Sequence, residues 1–167
     1  MESKVKLFGH PIHPMLIAFP LGLLATSFVF DIVHWITGND YFSEVAFWMI
    51  AAGIIGGLLA AVFGLVDWLA IPAGTRAKAV GLWHGAGNVI VVLLFAGSWL
   101  LRLNTQRNPS IFAYILSLIA VLLALVTAWL GGELVDRLGV GVDEGANVNA
   151  PSSLSHQPAA AHTAATD

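Results

Sequence analysis

The stretch GHPIHPMLIAFP at 9–20 carries two histidines, each followed by proline, at the threshold of a long apolar segment. Farther along, GLVDW at 64–68 and HGAGN at 84–88 supply Asp67, His84 and Asn88. A neutral imidazole is a ligand for haem iron and for first-row metals, and a carboxylate beside it can fix its tautomer through the second ring nitrogen. His13 and His84 are therefore the candidate axial ligands of one haem b, with Asp67 and Asn88 completing the cofactor site. A second chemistry uses His10, His13, His84 and Asp67 to hold one zinc, iron or copper(II) ion. Glu133 falls at the same level, but the small-residue stripe of its segment, Ser117, Ala120, Ala124, Thr127 and Gly131, faces elsewhere and leaves it a supporting role at best. A third reading needs no cofactor: Asp67 accepts hydrogen bonds from His13, His84 or the Trp68 indole and fixes the helices of an accessory or scaffold subunit.

The elements that must position these residues follow from composition. Of 167 residues, 57% are hydrophobic and 10% charged, whereas soluble domains carry about 25% charged residues. Such a chain is an integral membrane protein, surrounded by the lipid bilayer. Residues 14–36, 42–71, 79–101 and 111–130 are each long enough to cross a hydrocarbon core, which takes roughly 20 helical residues. The expected fold is all-α, a four-helix membrane bundle over residues 1–138 whose short connections make consecutive helices antiparallel neighbours. The first apolar run is too long for the apolar centre of a signal peptide and is read as a retained span. From 139 to 167 glycine, alanine, serine, proline and threonine dominate. That composition predicts a disordered, flexible tail in which His156 and His162 have no structural role. The absence of cysteine excludes disulfides, thiolate metal sites, cysteine-ligated iron–sulfur clusters and covalently attached haem.

Depth and helical face narrow the site. His13, Asp67, His84 and Asn88 all fall toward one membrane face, and His34 sits at the other beside Asp31, the two forming an expected local pair. Gly53, Gly57, Ala60 and Gly64 recur at the spacing that lets a second helix approach closely, and Asp67 continues that stripe. Gly81, His84, Gly85 and Asn88 share one face of the third span, where the glycines leave volume for a bulky group. Because a residue before proline is pushed out of the helical region, His10 and His13 are both expected to be extended. Pro14 then opens the first helix with His13 as its N-cap, and Pro20 bends it. The tryptophans cluster near span ends as interfacial residues and are assigned no chemistry. Lys4, Lys6, Arg76, Lys78 and Arg137 lie on one side against Arg102 and Arg107 on the other, so the N- and C-termini are expected to be cytoplasmic.

HPIHPMLIAFPLGL at 10–23, GLVDW at 64–68, HGAGN at 84–88 and GGELVDRLGVGV at 131–142 resemble the pattern of a widespread family of bacterial predicted membrane proteins of unknown function. Some of its members are fused to Rieske-type or cytochrome domains, so the resemblance implies a bacterial inner-membrane protein in an electron-transfer setting, with redox or other membrane subunits as partners. It carries no established ligands over to this chain. A transporter is disfavoured because the spans show no inverted repeat and no second charge deep in the membrane. No serine, histidine and acid arrangement or zinc-protease motif supports hydrolysis. A net charge of −3 argues against nucleic acid as a partner.

Overall fold

The computed structural model describes residues 1–155 and 157–162, with 161 and 162 given by backbone alone. The four apolar runs form α1 (Ile12–Thr37), α2 (Asp40–Ala70), α3 (Arg76–Arg102) and α4 (Ile111–Gly132), the last continuing into a π-helical turn over Glu133–Arg137. Each is long and apolar enough to cross a membrane, and the helices begin and end within a turn of the expected bounds. A two-residue ladder of β1 (Lys6–Leu7) against β2 (His10–Pro11) precedes α1. Beyond Leu138 the described chain forms turns and the short 3-10 helices Ser153–Ser155 and Ala159–His162. His156 and the side chain of His162 lie outside the described residues.

Local chemistry sets the helix ends. Gly38 closes α1 at φ 65° and donates its amide hydrogen to the His34 carbonyl, a left-handed geometry that glycine adopts without strain. Asn39 caps α2 by accepting from the Tyr41 amide, and Thr75 caps α3 by accepting from Lys78. The start of α1 differs from the expectation. The small ladder brings the Ile12 amide 3.1 Å from the Val5 carbonyl, and the helix begins at Ile12 after Pro11. His13 is thus inside the first turn rather than at the cap, and Pro14 occupies a position whose amide hydrogen would have had no helical partner. His10, in β2, is extended as expected.

The bundle is built inside out. Ile55, Leu58, Val62 and Leu65 of α2 are exposed to the surroundings, while Ser27, Ser43, Ser98 and Ser117 have no accessible surface. Lipid tails solvate leucine as well as a protein core does, so the interior is selected for close approach and hydrogen bonding rather than for hydrophobicity. A small apolar layer of Leu24, Ile50, Val91, Phe95 and Ala120 forms mid-bundle. Gly53 makes it possible, because a Cβ there would lie 2.6 Å from the Leu24 side chain. Successive helices pack antiparallel in two hairpins, α1 with α2 and α3 with α4. They are joined where the Trp68 indole donates to the Lys78 carbonyl at 3.1 Å and the Lys78 ammonium sits 4.0 Å over the Trp68 ring.

At the end of the bundle away from His13, the Arg102 guanidinium donates to both oxygens of Asp31 at 2.7 Å, and neither side chain has more than 1% of its surface accessible. Asp31 therefore pairs with Arg102 and not with His34, whose Nδ1 instead lies 3.1 Å from the Asn39 carbonyl. This also corrects the expectation that the membrane interior holds no second charge, and it removes Arg102 from the exposed cations of that side.

A strap precedes α1. Its Glu2 and Lys6 form an ion pair, Lys6 also pairs with Asp143 beyond α4, and the Ser153 hydroxyl donates to the Phe8 carbonyl at 3.1 Å. Hydrogen bonding to Asp143 and then to Glu2 raises the Lys6 pKa. The Lys6 ammonium and the Glu144 amide lower that of Glu2. The raised Lys6 stabilises the strap below its unfolded pKa and the contribution is lost as pH rises through the folded value, whereas the depressed Glu2 contributes above its unfolded pKa and is lost as pH falls through the folded one. Exposure and screening keep both contributions small. A nitroxide on Phe8→Cys is predicted to be least mobile between these limits and to gain mobility at both extremes, whereas a flat profile would refute the strap's charge anchoring.

Candidate functional site

Each hairpin presents one imidazole in the same way. On the first, His13 Nδ1 lies 2.9 Å from the Ala60 carbonyl, and the ring rests on Gly64, where a Cβ would stand 2.8 Å from the ring carbon Cε1. On the second, His84 Nδ1 lies 2.9 Å from the Thr127 carbonyl, and its ring rests on Gly131, where a Cβ would stand 3.0 Å from Cε1. A carbonyl oxygen only accepts, so each Nδ1 carries the proton and each Nε2 keeps its lone pair. The two rings face one another at 6.5 Å between centroids and 89° between planes.

Around them the polar contacts are few. Asn88 Nδ2 donates to the His84 carbonyl at 3.0 Å and stands 3.2 Å from His84 Nε2. Its Oδ1 accepts from the Thr127 hydroxyl at 2.9 Å. The expected open volume beside His84 is largely filled: a Cβ on Gly81 would stand 2.7 Å from the Trp68 ring and Gly87 closes onto the Thr127 methyl group, whereas the space at Gly85 lies on the exposed side of α3.

The structure brings His13, His84 and Asn88 together and gives the other candidates different partners. Asp67 accepts from the Ser3 hydroxyl at 2.7 and 2.8 Å and from the Lys4 amide at 2.9 Å. It anchors the strap and orients neither imidazole. His10 is exposed, with Nε2 3.4 Å from the Ser153 hydroxyl. Glu133 binds Arg76 at 2.6 Å, and the Trp68 indole turns to Lys78 rather than to Asp67. Among the described residues no three of His, Cys, Asp and Glu gather into a set that could hold a bare metal ion.

The backbone carbonyls of Ala60 and Thr127 are the partners that side-chain chemistry alone does not reveal. Ala60 and Gly64 stand one helical turn apart on α2, as do Thr127 and Gly131 on α4, and each residue of the second pair follows its counterpart by 67 positions. This is a repeat in the same sense, not an inverted one, because each hairpin runs in the same direction through the bundle. The α4 stripe that contains Thr127 and Gly131 thus faces His84, which is why it faces away from Glu133. The prediction is that nitrogen NMR of labelled protein finds His13 and His84 as neutral Nδ1–H tautomers, and that Gly64→Val abolishes this for His13 alone. Nε2–H tautomers at both positions would contradict the geometry.

Comparison with curated proteins and with solved structures gives no match. A family model does match residues 9–144, and its description is Predicted membrane protein (DUF2231). That interval covers all four helices and both facing histidines. The chain is a membrane protein and belongs to the DUF2231 family of predicted membrane proteins.

Proposed function

We propose that this protein holds one haem b between His13 and His84 and serves electron transfer in the bacterial inner membrane. The observation that carries this reading is the pair of level imidazoles, each with Nδ1–H fixed on a carbonyl of the neighbouring helix and Nε2 left as a lone pair. Imidazole nitrogens about 2.0–2.1 Å from a shared metal, with ring centres about 1 Å behind them, stand about 6 Å apart across it. The observed separation of 6.5 Å fits that spacing. Haem iron asks only two axial ligands of the protein, whereas zinc or copper(II) takes three or four. The two-ligand set therefore favours haem over a bare ion.

The chain's own residues do the positioning. Donation to Ala60 and Thr127 holds each ring's tautomer and direction and raises the basicity of its free nitrogen. Gly64 and Gly131 let the rings pack directly against α2 and α4. Asn88 would release His84 Nε2 on binding and keep its bonds to the His84 carbonyl and to Thr127, so no buried polar group is stranded. Bound there, the haem would supply one-electron storage.

Lys4, Lys6, Arg76, Lys78 and Arg137 on the strap side now stand against Arg107 alone, because Arg102 is buried with Asp31. The asymmetry supports cytoplasmic termini and a haem near the cytoplasmic face, with redox subunits as the electron partners there.

Titrating the detergent-purified protein with haemin is the test. One equivalent is expected to give a low-spin, six-coordinate spectrum. His13→Ala and His84→Ala are each expected to weaken binding by at least about tenfold, the loss of one axial bond outweighing 1.4 kcal/mol. His10→Ala and Asp67→Asn are expected to bind as the parent does. Failure of the parent to bind haemin would overturn the reading and leave a cofactor-free accessory subunit as the better account.

A further inference from the structure

The two hairpins share a register that extends the length of the bundle. His13, Leu24, Ser27 and Asp31 of α1 are followed 71 positions later by His84, Phe95, Ser98 and Arg102 of α3. The apolar and serine pairs of this series are buried. Since His13 faces His84 and Asp31 binds Arg102, α1 and α3 run parallel and confront one another across an approximate two-fold axis along the bundle. At three levels the equivalent positions hold like residues. At the last they hold opposite charges.

We propose that Asp31 and Arg102 are positioning residues for the candidate site: they fix the register of α1 against α3 and so keep His13 and His84 level. The two pairs lie 18 residues apart on each helix, or about 27 Å at 1.5 Å per residue. Between them lies the apolar layer to which α1 gives Leu24 and α3 gives Val91 and Phe95, and apolar contact is non-directional and sets no register. Among the described residues, the Asp31–Arg102 ion pair forms the only hydrogen bonds linking α1 to α3. A bidentate guanidinium–carboxylate pair fixes both distance and angle. The guanidinium is itself clamped, with Nε 3.2 Å from Ser98, Nη2 3.4 Å from Ser117 on α4 and the Tyr114 ring 5.0 Å away. Slippage along the helices would leave a charge unpaired in hydrocarbon, so the clamp resists it strongly. The opposite signs add discrimination, because two copies of the first hairpin would set Asp31 against Asp31. This inference concerns the distance between two backbone positions and stands whether or not haem binds.

The chain has no cysteine, so introduced pairs are the only thiols. His13→Cys/His84→Cys reports on the α1–α3 register through a bismaleimide that spans the two imidazole positions, and His13→Cys/Ala60→Cys reports on the first hairpin alone. In membranes, Asp31→Asn is expected to lower the 13–84 crosslink by about fivefold or more, a coupling of at least 1 kcal/mol, while the 13–60 crosslink is unchanged. The swap Asp31→Arg/Arg102→Asp is expected to restore the 13–84 yield to within about twofold, where a residue acting only on overall stability would not show such selectivity. Should Asp31→Asn lose both crosslinks, Asp31→Glu, which keeps the charge on a longer arm, decides: a selective fall in 13–84 supports positioning. An unchanged 13–84 yield in a folded variant, or joint loss of both crosslinks in every variant, overturns it.

Discussion

Hydrocarbon offers no partner to a polar group, so the amides, imidazoles, hydroxyls and charges that α1 to α4 carry into the membrane must be satisfied by the chain itself, and among the described residues the Trp99 indole nitrogen is the one buried side-chain atom that is not. That constraint explains why the interior is the polar part of this protein and why its outer surface is leucine, isoleucine and valine. The imidazoles of His13 and His84 donate to carbonyls of neighbouring helices, Ser98 and Ser117 share a hydrogen bond at 2.8 Å, and Arg102 is met by Asp31. Each contact ties one helix to another, so satisfying the polar groups and assembling the bundle are the same event. Small residues make the distances short enough for it. A Cβ at Gly64 would stand 2.8 Å from the His13 ring and force it to shift, and one at Gly131 would crowd the His84 ring at 3.0 Å.

The same economy shapes the candidate site. An Nδ1–H spent on a backbone carbonyl leaves an Nε2 with nothing to donate, and two such nitrogens from different helices stand at one level in a region poor in other donors. Asn88 answers the one on His84. The strap before α1 uses up the carboxylate of Asp67, the nearest acid to the pair in sequence register, by binding it to Ser3 and Lys4. What remains is a pair of imidazoles with no carboxylate beside them, the arrangement on which the proposed haem site rests.

Much of this was legible from residue order. Length and hydropathy locate the four helices to within a turn at each end, and glycine spacing identifies the α2 face that receives His13 and the α3 face that carries His84. Contacts whose partners are distant in sequence were hidden. Proximity on one helix pairs Asp31 with His34, yet a full guanidinium from another hairpin outcompetes a neutral imidazole for a buried carboxylate. Arg102 looked like a loop cation because it ends its helix. Proline after His13 marks it as a cap, but a two-residue ladder, followed by the bond from Ile12 back to Val5, starts the helix two positions earlier. The constant offsets of 71 between α1 and α3 and of 67 between α2 and α4 were present in the sequence throughout. They become visible only once it is known which side chains are buried.

If the facing imidazoles of His13 and His84 hold one haem as proposed, the low-temperature electron paramagnetic resonance spectrum of the oxidised protein, purified from haem-supplied cells, will carry its signature. Rings set at 89° to each other predict a low-spin ferric signal of the strongly anisotropic kind that perpendicular axial imidazoles produce, lost in His84→Ala. A high-spin signal from the bound haem, or protein that purifies from those cells without haem, would refute the proposed site.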